Sequence, residues 1–231
     1  MSNTDKLIAL FEKRFAAHPW HGIEIGEKSP EVITSYIEIN PNDQIKYELD
    51  KDSGLIIVDR PQKYSNIVPA LYGFVPQTYC DKLVAEYCME KSGLSNIEGD
   101  GDPLDIIVLT ERNITRGNIL VDAIPVGGFR MIDGGEADDK IIAVLKGDQA
   151  YGNITDIDQV PSMVLDRVKH FFLTYKENPN KDGSDKEVEI THTYNKAEAH
   201  EVIRRSFDDY VNIYGNVKKE FEVALNNFVN A

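Results

Sequence analysis

Asp100, Asp102 and Asp105 fall close together in GDGDPLDIIVL, which runs from Gly99 to Leu109, and an apolar run follows at once. Gly101 and Pro103 separate the acids. Proline has no N–H and glycine tolerates dihedrals that other residues avoid, so the stretch reads as a tight bend rather than a helix. A bend can aim alternate side chains at one point. Carboxylates brought together repel, and one must hold a proton unless a cation sits among them. Hard oxygen donors suit Mg²⁺ or Ca²⁺. A calcium EF-hand is excluded: counted from Asp100, its glycine position falls on Asp105, and Ile106 to Leu109 would be both flexible loop and core strand.

A second acidic bend, MIDGGEADDK over 131–140, carries Asp133, Glu136, Asp138 and Asp139, then Lys140. It too joins two apolar runs, and two such bends point to one shared site. Lys46 and Glu48 alternate onto one face of a strand; Glu38 ends the strand before it, and Arg60 closes LIIVDR (55–60). Taken singly, each is as well explained by a cross-strand salt bridge. Taken together, carboxylate-held metals with Lys and Arg nearby describe a site for a dense anion. In phosphoryl transfer, metals activate water and neutralise oxygens while the cations clamp phosphates. GxxxxGK[ST], GxSxG, HExxH and kinase signatures do not occur.

These side chains need a scaffold. Strands are predicted at 32–39, 45–49, 55–59, 104–109, 119–126, 128–132 and 141–145, with Asp50 to Gly54 as a hairpin turn. Leu7, Ile8, Phe11 and Phe15 recur at helical spacing over 4–17, and Thr4 suits the N-cap. Residues 161–176 form an amphipathic pattern, with Pro161 at the first turn and Val164, Leu165, Val168, Phe171, Phe172 and Tyr175 on one face. A polar loop at 178–186, a short strand near 187–193 and helices over 196–213 and 216–229 follow. Strands come early and helices late, without alternation. That predicts an antiparallel or barrel-like sheet with helices packed against it.

The chain has 231 residues, 42% hydrophobic and 28% charged, an ordinary globular balance with length for a sizeable core. A net charge of −14 without a dense Lys/Arg run argues against nucleic acid as a partner. No apolar run is long enough to cross a bilayer, and the first residues lack secretory-signal features. Cys80 and Cys88 read as unpaired thiols in a reducing cytoplasm, and neither they nor His18, His21, His170, His192 and His200 show zinc spacing.

The chain resembles the soluble inorganic pyrophosphatases of the single-domain, magnesium-dependent class (family I). DGDPLD at 100–105 carries the resemblance. IKYELDKDSGLIIVDR (45–60), PVGGFRMIDGGEADDKIIAV (125–144) and HFFLTYK (170–176) follow in the family's order, so it covers roughly 32–176. It implies a mainly β, α+β fold: a five-stranded OB-type barrel with flanking α-helices. One domain would span 1–231, with helices 4–17 and 196–229 as extensions and an insertion over about 76–98. The implied activity is hydrolysis of inorganic diphosphate to two phosphates by a multi-magnesium site with a metal-bridged water nucleophile. Asp100, Asp105 and Asp138 resemble the magnesium ligands, with Asp133 and Glu48 joining further ions as substrate arrives. Asp102 resembles the group that orients the bridging water and accepts its proton. Lys46, Arg60, Tyr175 and Lys176 match phosphate contacts, Tyr72 a hydrogen bond near the nucleophile, and Glu38 and Lys140 charges that hold the cluster. The resemblance further implies several Mg²⁺ per subunit with Mn²⁺ or Zn²⁺ as substitutes, no nucleic-acid or membrane partner, a cytoplasmic location and a homo-oligomer, hexamer or dimer. One departure stands out: the family's Y-P-x-N-Y-G is here Val68-Pro69-Ala70-Leu71-Tyr72-Gly73. Other readings are a magnesium phosphohydrolase for nucleotides or polyphosphate, an OB-type nucleic-acid binder, which the acidic face opposes, and a silent scaffold.

Overall fold

The computed structural model describes residues 15–176 and 188–229. The helix expected over 4–17 lies almost wholly outside them, and Phe15 to Ala17 are not helical. The expected loop at 178–186 lies outside them as well. The elements run β1 (Ile33–Ile39), β2 (Ile45–Leu49), β3 (Ile56–Pro61), β4 (Leu71–Phe74), α1 (Lys82–Ser92), β5 (Glu98–Gly99), β6 (Asp105–Leu109), β7 (Ile119–Asp133), β8 (Glu136–Ala137), β9 (Lys140–Leu145), a 3-10 turn (Ile157–Gln159), α2 (Ser162–Thr174), β10 (Val188–Asn195), α3 (Lys196–Tyr214) and α4 (Val217–Val229).

Strands β1, β4, β6, β9 and β7 pair in that order, and β7 pairs again with β1, closing a ring of five strands. Only β6 and β9 run parallel within it. The mainly β, OB-like architecture expected from the sequence is therefore the one observed. The strands read as unbroken apolar runs because both their faces are covered. On β6, Ile106 and Val108 enter one core cluster while Ile107 and Leu109 enter another; Ile141 and Ala143 divide from Ile142 and Val144 on β9 in the same way. α1 (Val84, Tyr87, Cys88) and α3 (Ala199, Val202, Ile203) close the first cluster. α2 (Val168, Phe171, Phe172) closes the second. Each fully buried aliphatic or aromatic side chain contributes roughly 1.5–3 kcal/mol, so the ring is a stiff wall.

The structure departs from the predicted elements in three places. The strands predicted at 119–126 and 128–132 are one 15-residue strand, β7, whose register shifts between Pro125 and Gly127. A bulge bends a strand without ending it. A Cβ at Gly128 would lie 2.4 Å from the Tyr194 ring, so β10 can close on β7 only over a residue with no side chain. The segment 76–98, for which the sequence reading named no element, contains α1. That helix's N-terminus is capped from another element: the Asp209 carboxylate of α3 accepts N–H groups of Leu83 (3.0 Å) and Val84 (3.1 Å). β4 also went unpredicted, being only four residues long. Among the described residues no helix is long and apolar enough to cross a membrane.

Candidate active site

At one end of the ring, the acidic bends, the β2–β3 hairpin and the end of α2 enclose a cleft of about 240 Å³. It is lined by Asp100, Asp102, Asp105, Asp133, Asp138, Glu38, Glu48, Lys46, Lys140, Lys176, Arg60, Tyr72 and Tyr175, so the structure gathers every site residue expected from the sequence into one place. Glu136, Lys51, Leu49, Phe74 and Pro103 complete the wall.

Backbone geometry explains the convergence. Gly101 takes φ +70°, its N–H donates to the Cys80 carbonyl at 3.0 Å, and the Cys80 N–H donates to the Asp102 carbonyl at 2.8 Å. The bend is thus sewn onto the chain ahead of α1. A Cβ at Gly99 would lie 2.3 Å from the Cys80 carbonyl oxygen, so only glycine permits that approach. Asp105 opens β6 and Lys140 opens β9, and the two are register partners across the parallel pair. Asp138, in the short link between β8 and β9, and Lys140 both line the cleft, while Asp139 between them is turned to Arg130. The hairpin delivers Lys46, Glu48 and Arg60. It is tied to β1 by the Leu49 N–H, which donates to Glu38 Oε1 at 2.7 Å.

The charges are arranged in contacts of opposite sign. Lys140 Nζ donates to both Asp105 and Asp138. Burial alone would lower the Lys140 ammonium, but the carboxylates on either side hold it well above its usual range. Tyr72 donates to Asp105 Oδ2 at 2.6 Å, and burial, then that carboxylate, raises its phenol. Lys176 pairs with Asp133 and Lys51 with Asp102. Lys46 lies 2.8 Å from Glu48 on its own strand and 2.8 Å from Asp59 across the hairpin, so a cross-strand salt bridge exists alongside the cleft position, made with Asp59 rather than with Glu38, Glu48 or Arg60. Asp100 accepts the Asp102 N–H at 2.9 Å. Burial, then Asp138, pushes its carboxyl up to about 9, against the pull of Lys140. Arg60 lies 5.9 Å from the Tyr175 ring centroid, and its Nη1 is buried with no hydrogen-bond partner. A buried guanidinium N–H without an acceptor suits an anion's oxygen.

The donor set fits a hard divalent cation. It is all carboxylate oxygen, and burial, then the neighbouring Asp138, has driven Asp100 toward its neutral form, a cost that divalent charge relieves. Among the described residues no three Asp, Glu, His or Cys groups already close on one point; lysines stand between the acids.

Two details differ from the sequence reading. Tyr175 and Lys176, expected within the helix 161–176, lie just past the end of α2, where Tyr175 stacks on Phe171 at 5.2 Å and turns to the cleft. Lys51 was missed. It sits in the turn between β2 and β3, where a lysine reads as solvated; only the folding back of the hairpin brings it to Asp102.

The family model described as Inorganic pyrophosphatase matches residues 35–211. An inorganic pyrophosphatase of Chlamydia trachomatis serovar D is 53% identical over 200 residues, 86% of this chain and 96% of its own. A soluble inorganic pyrophosphatase of Solanum tuberosum is 42% identical over 176 residues, 76% of this chain and 74% of its own. The crystal structure of the inorganic pyrophosphatase from Thermus thermophilus superposes with a TM-score of 0.69 at 32% identity, covering 84% of this chain and 99% of that one.

Proposed function

This chain belongs to the inorganic pyrophosphatase family, and from that premise we propose that it hydrolyses inorganic diphosphate to two phosphates in the cleft at the end of the ring. The convergence of acids and cations there is the observation that carries the reading. Asp100, Asp105 and Asp138 are the residues that would hold Mg²⁺, with Asp133 and Glu48 holding further ions when substrate is present and Mn²⁺ or Zn²⁺ as substitutes. Bound Mg²⁺ would supply Lewis acidity, neutralising phosphate oxygens and making a water between two ions more acidic.

The chain's own groups do the rest. Asp102, half exposed on the cleft wall, orients a water and takes its proton as the water oxygen attacks one phosphorus and the bridging P–O bond breaks. Lys46, Arg60, Tyr175 and Lys176 bind the phosphate oxygens, and the unpartnered Arg60 Nη1 is the readiest donor. Tyr72 holds Asp105 in place through its hydroxyl. Glu38 fixes the hairpin, and Lys140 keeps Asp105 and Asp138 from repelling each other apart. Val68 and Leu71, where the family has Tyr and Asn, are buried core residues here, so the hydrogen bonds of those two polar side chains are replaced by packing. We assign the chain as one catalytic domain acting as a homo-oligomer in the cytoplasm, with neither nucleic acid nor membrane as a partner. Phosphate release from diphosphate with Mg²⁺, abolished by chelator and weak on nucleoside triphosphates and polyphosphate, is the expected result. Mg²⁺-independent release, or a preference for nucleotides, would overturn it.

A further inference from the structure

Behind the cleft, on the opposite face of the same strands, Arg130 of β7 is completely buried. Its Nε donates to the two carboxylate oxygens of Asp139 at 3.0 and 3.1 Å. Its Nη2 lies 3.0 Å from Asp139 Oδ2 and 3.3 Å from Glu198 Oε1 on α3. Nη1 donates to the Tyr87 carbonyl of α1 at 3.4 Å. The guanidinium lies 5.1 Å from the ring centroids of Tyr87 and Tyr194, and Arg205 of α3 lies 4.4 Å from that of Tyr87. None of these residues lines the cleft.

A buried ionic network is a weak source of stability, because desolvation offsets most of the attraction and a packed apolar core does as well. What it supplies is direction. A planar guanidinium whose Nε donates to both oxygens of a carboxylate, with Nη2 in ion-pair range beside it, limits the angle of that carboxylate as well as its distance. Asp139 lies between Asp138 and Lys140, which both line the cleft, while its own carboxylate is held on the other side by Arg130. Pinning Asp139 on the back therefore sets the aim of Asp138 and Lys140 at the front.

We propose that Arg130, Asp139 and Glu198, wedged between α1 and α3, form a positioning device that aims Asp138 and Lys140 into the cleft and so makes its cation affinity depend on the helix layer behind it. This rests on the reading of the cleft as a Mg²⁺ site. It gives the segment 76–98 a role, since α1 supplies one wall of the device.

The test measures Mg²⁺ binding without turnover, as the rise of melting temperature with Mg²⁺ concentration, and in parallel the Mg²⁺ dependence of phosphate release. Arg130→Lys, which keeps charge but loses the planar guanidinium and its Nε donor, should raise the Mg²⁺ midpoint ~10–100-fold in both measurements, with kcat at saturating Mg²⁺ close to wild type. Glu198→Gln should shift it less, in the same direction. Tyr210→Phe serves as the control: it removes a 2.8 Å hydrogen bond to His21 far from the network, and should lower the melting temperature without moving the midpoint. If Arg130→Lys and Glu198→Gln melt earlier but keep the wild-type midpoint, the network is only structural and the inference falls. If Arg130→Lys does not fold, Glu198→Gln decides alone. A wild-type protein that shows no response to Mg²⁺ overturns the metal reading itself, and this inference with it.

Discussion

Glu38, next to last in β1, has its carboxyl buried: burial first, then Asp105 and Glu48, pushes it up to about 8 against the N–H that Leu49 donates. Below its ordinary 4.5 the folded and unfolded chains both bind this proton. Between 4.5 and about 8 only the folded chain does, so stability falls as pH rises through that window and levels off above it. Glu38→Gln removes the titration and keeps an oxygen for Leu49. In chelator, denaturant midpoints of the variant should therefore fall less steeply than wild type from pH 5 to 8; parallel curves would count against a buried, protonated Glu38. Asp102 differs, being half exposed and paired with a lysine on a turn. Asp102→Asn leaves the fold in place and takes away only the proton acceptor. It should lower kcat by ~100-fold or more while KM moves little, which steady-state phosphate release will read.

At the scale of elements, the hairpin, the two bends and α2 each bring one kind of group, and the ring keeps them in register. α1 is held differently. Its capping acceptor, Asp209, comes from α3, and the two helices share the core cluster closed by Val84, Val202 and Ile203. Removing that carboxylate leaves several N–H groups at the start of α1 without their acceptor. Asp209→Ala should therefore cost about 1–3 kcal/mol by urea denaturation, with hydrogen exchange at Leu83 and Val84 quickening first. Exchange that quickens evenly through the ring instead would show that α1 is not a separately held unit. The sequence made the hairpin and α2 legible because turn residues and apolar spacing are local signals. It hid α1, whose cap lies more than a hundred residues away, and β4, which is defined only by its partners.

The whole molecule carries a net charge of −14, but at the cleft acids and bases nearly balance, with Lys46, Lys51, Arg60, Lys140 and Lys176 set among the carboxylates. Asp100 and Glu38 hold their protons up to about 9 and about 8. A divalent cation must compete with a proton on Asp100 and is opposed less as pH rises. The rise in melting temperature at a fixed Mg²⁺ concentration should accordingly be larger at pH 9 than at pH 6. Differential scanning calorimetry would reveal it, and an equal or smaller rise at pH 9 would mean that the acids at the rim are not the binding groups.

From the sequence alone came the chemistry and its approximate carriers: bends forced by Gly101 and Gly134-Gly135, acids at fixed spacing in them, cations on a hairpin, and apolar runs long enough to wall a barrel. Those follow from residue type and short spacing, which act over a few bonds. Tertiary structure decided which acid meets which base. It put Lys140 between Asp105 and Asp138, folded Lys51 onto Asp102, turned Asp139 away toward Arg130, and closed β7 against β1. Pairings of that kind depend on distances through space between residues far apart along the chain, and these are set only when the two cores on either side of the strands are packed.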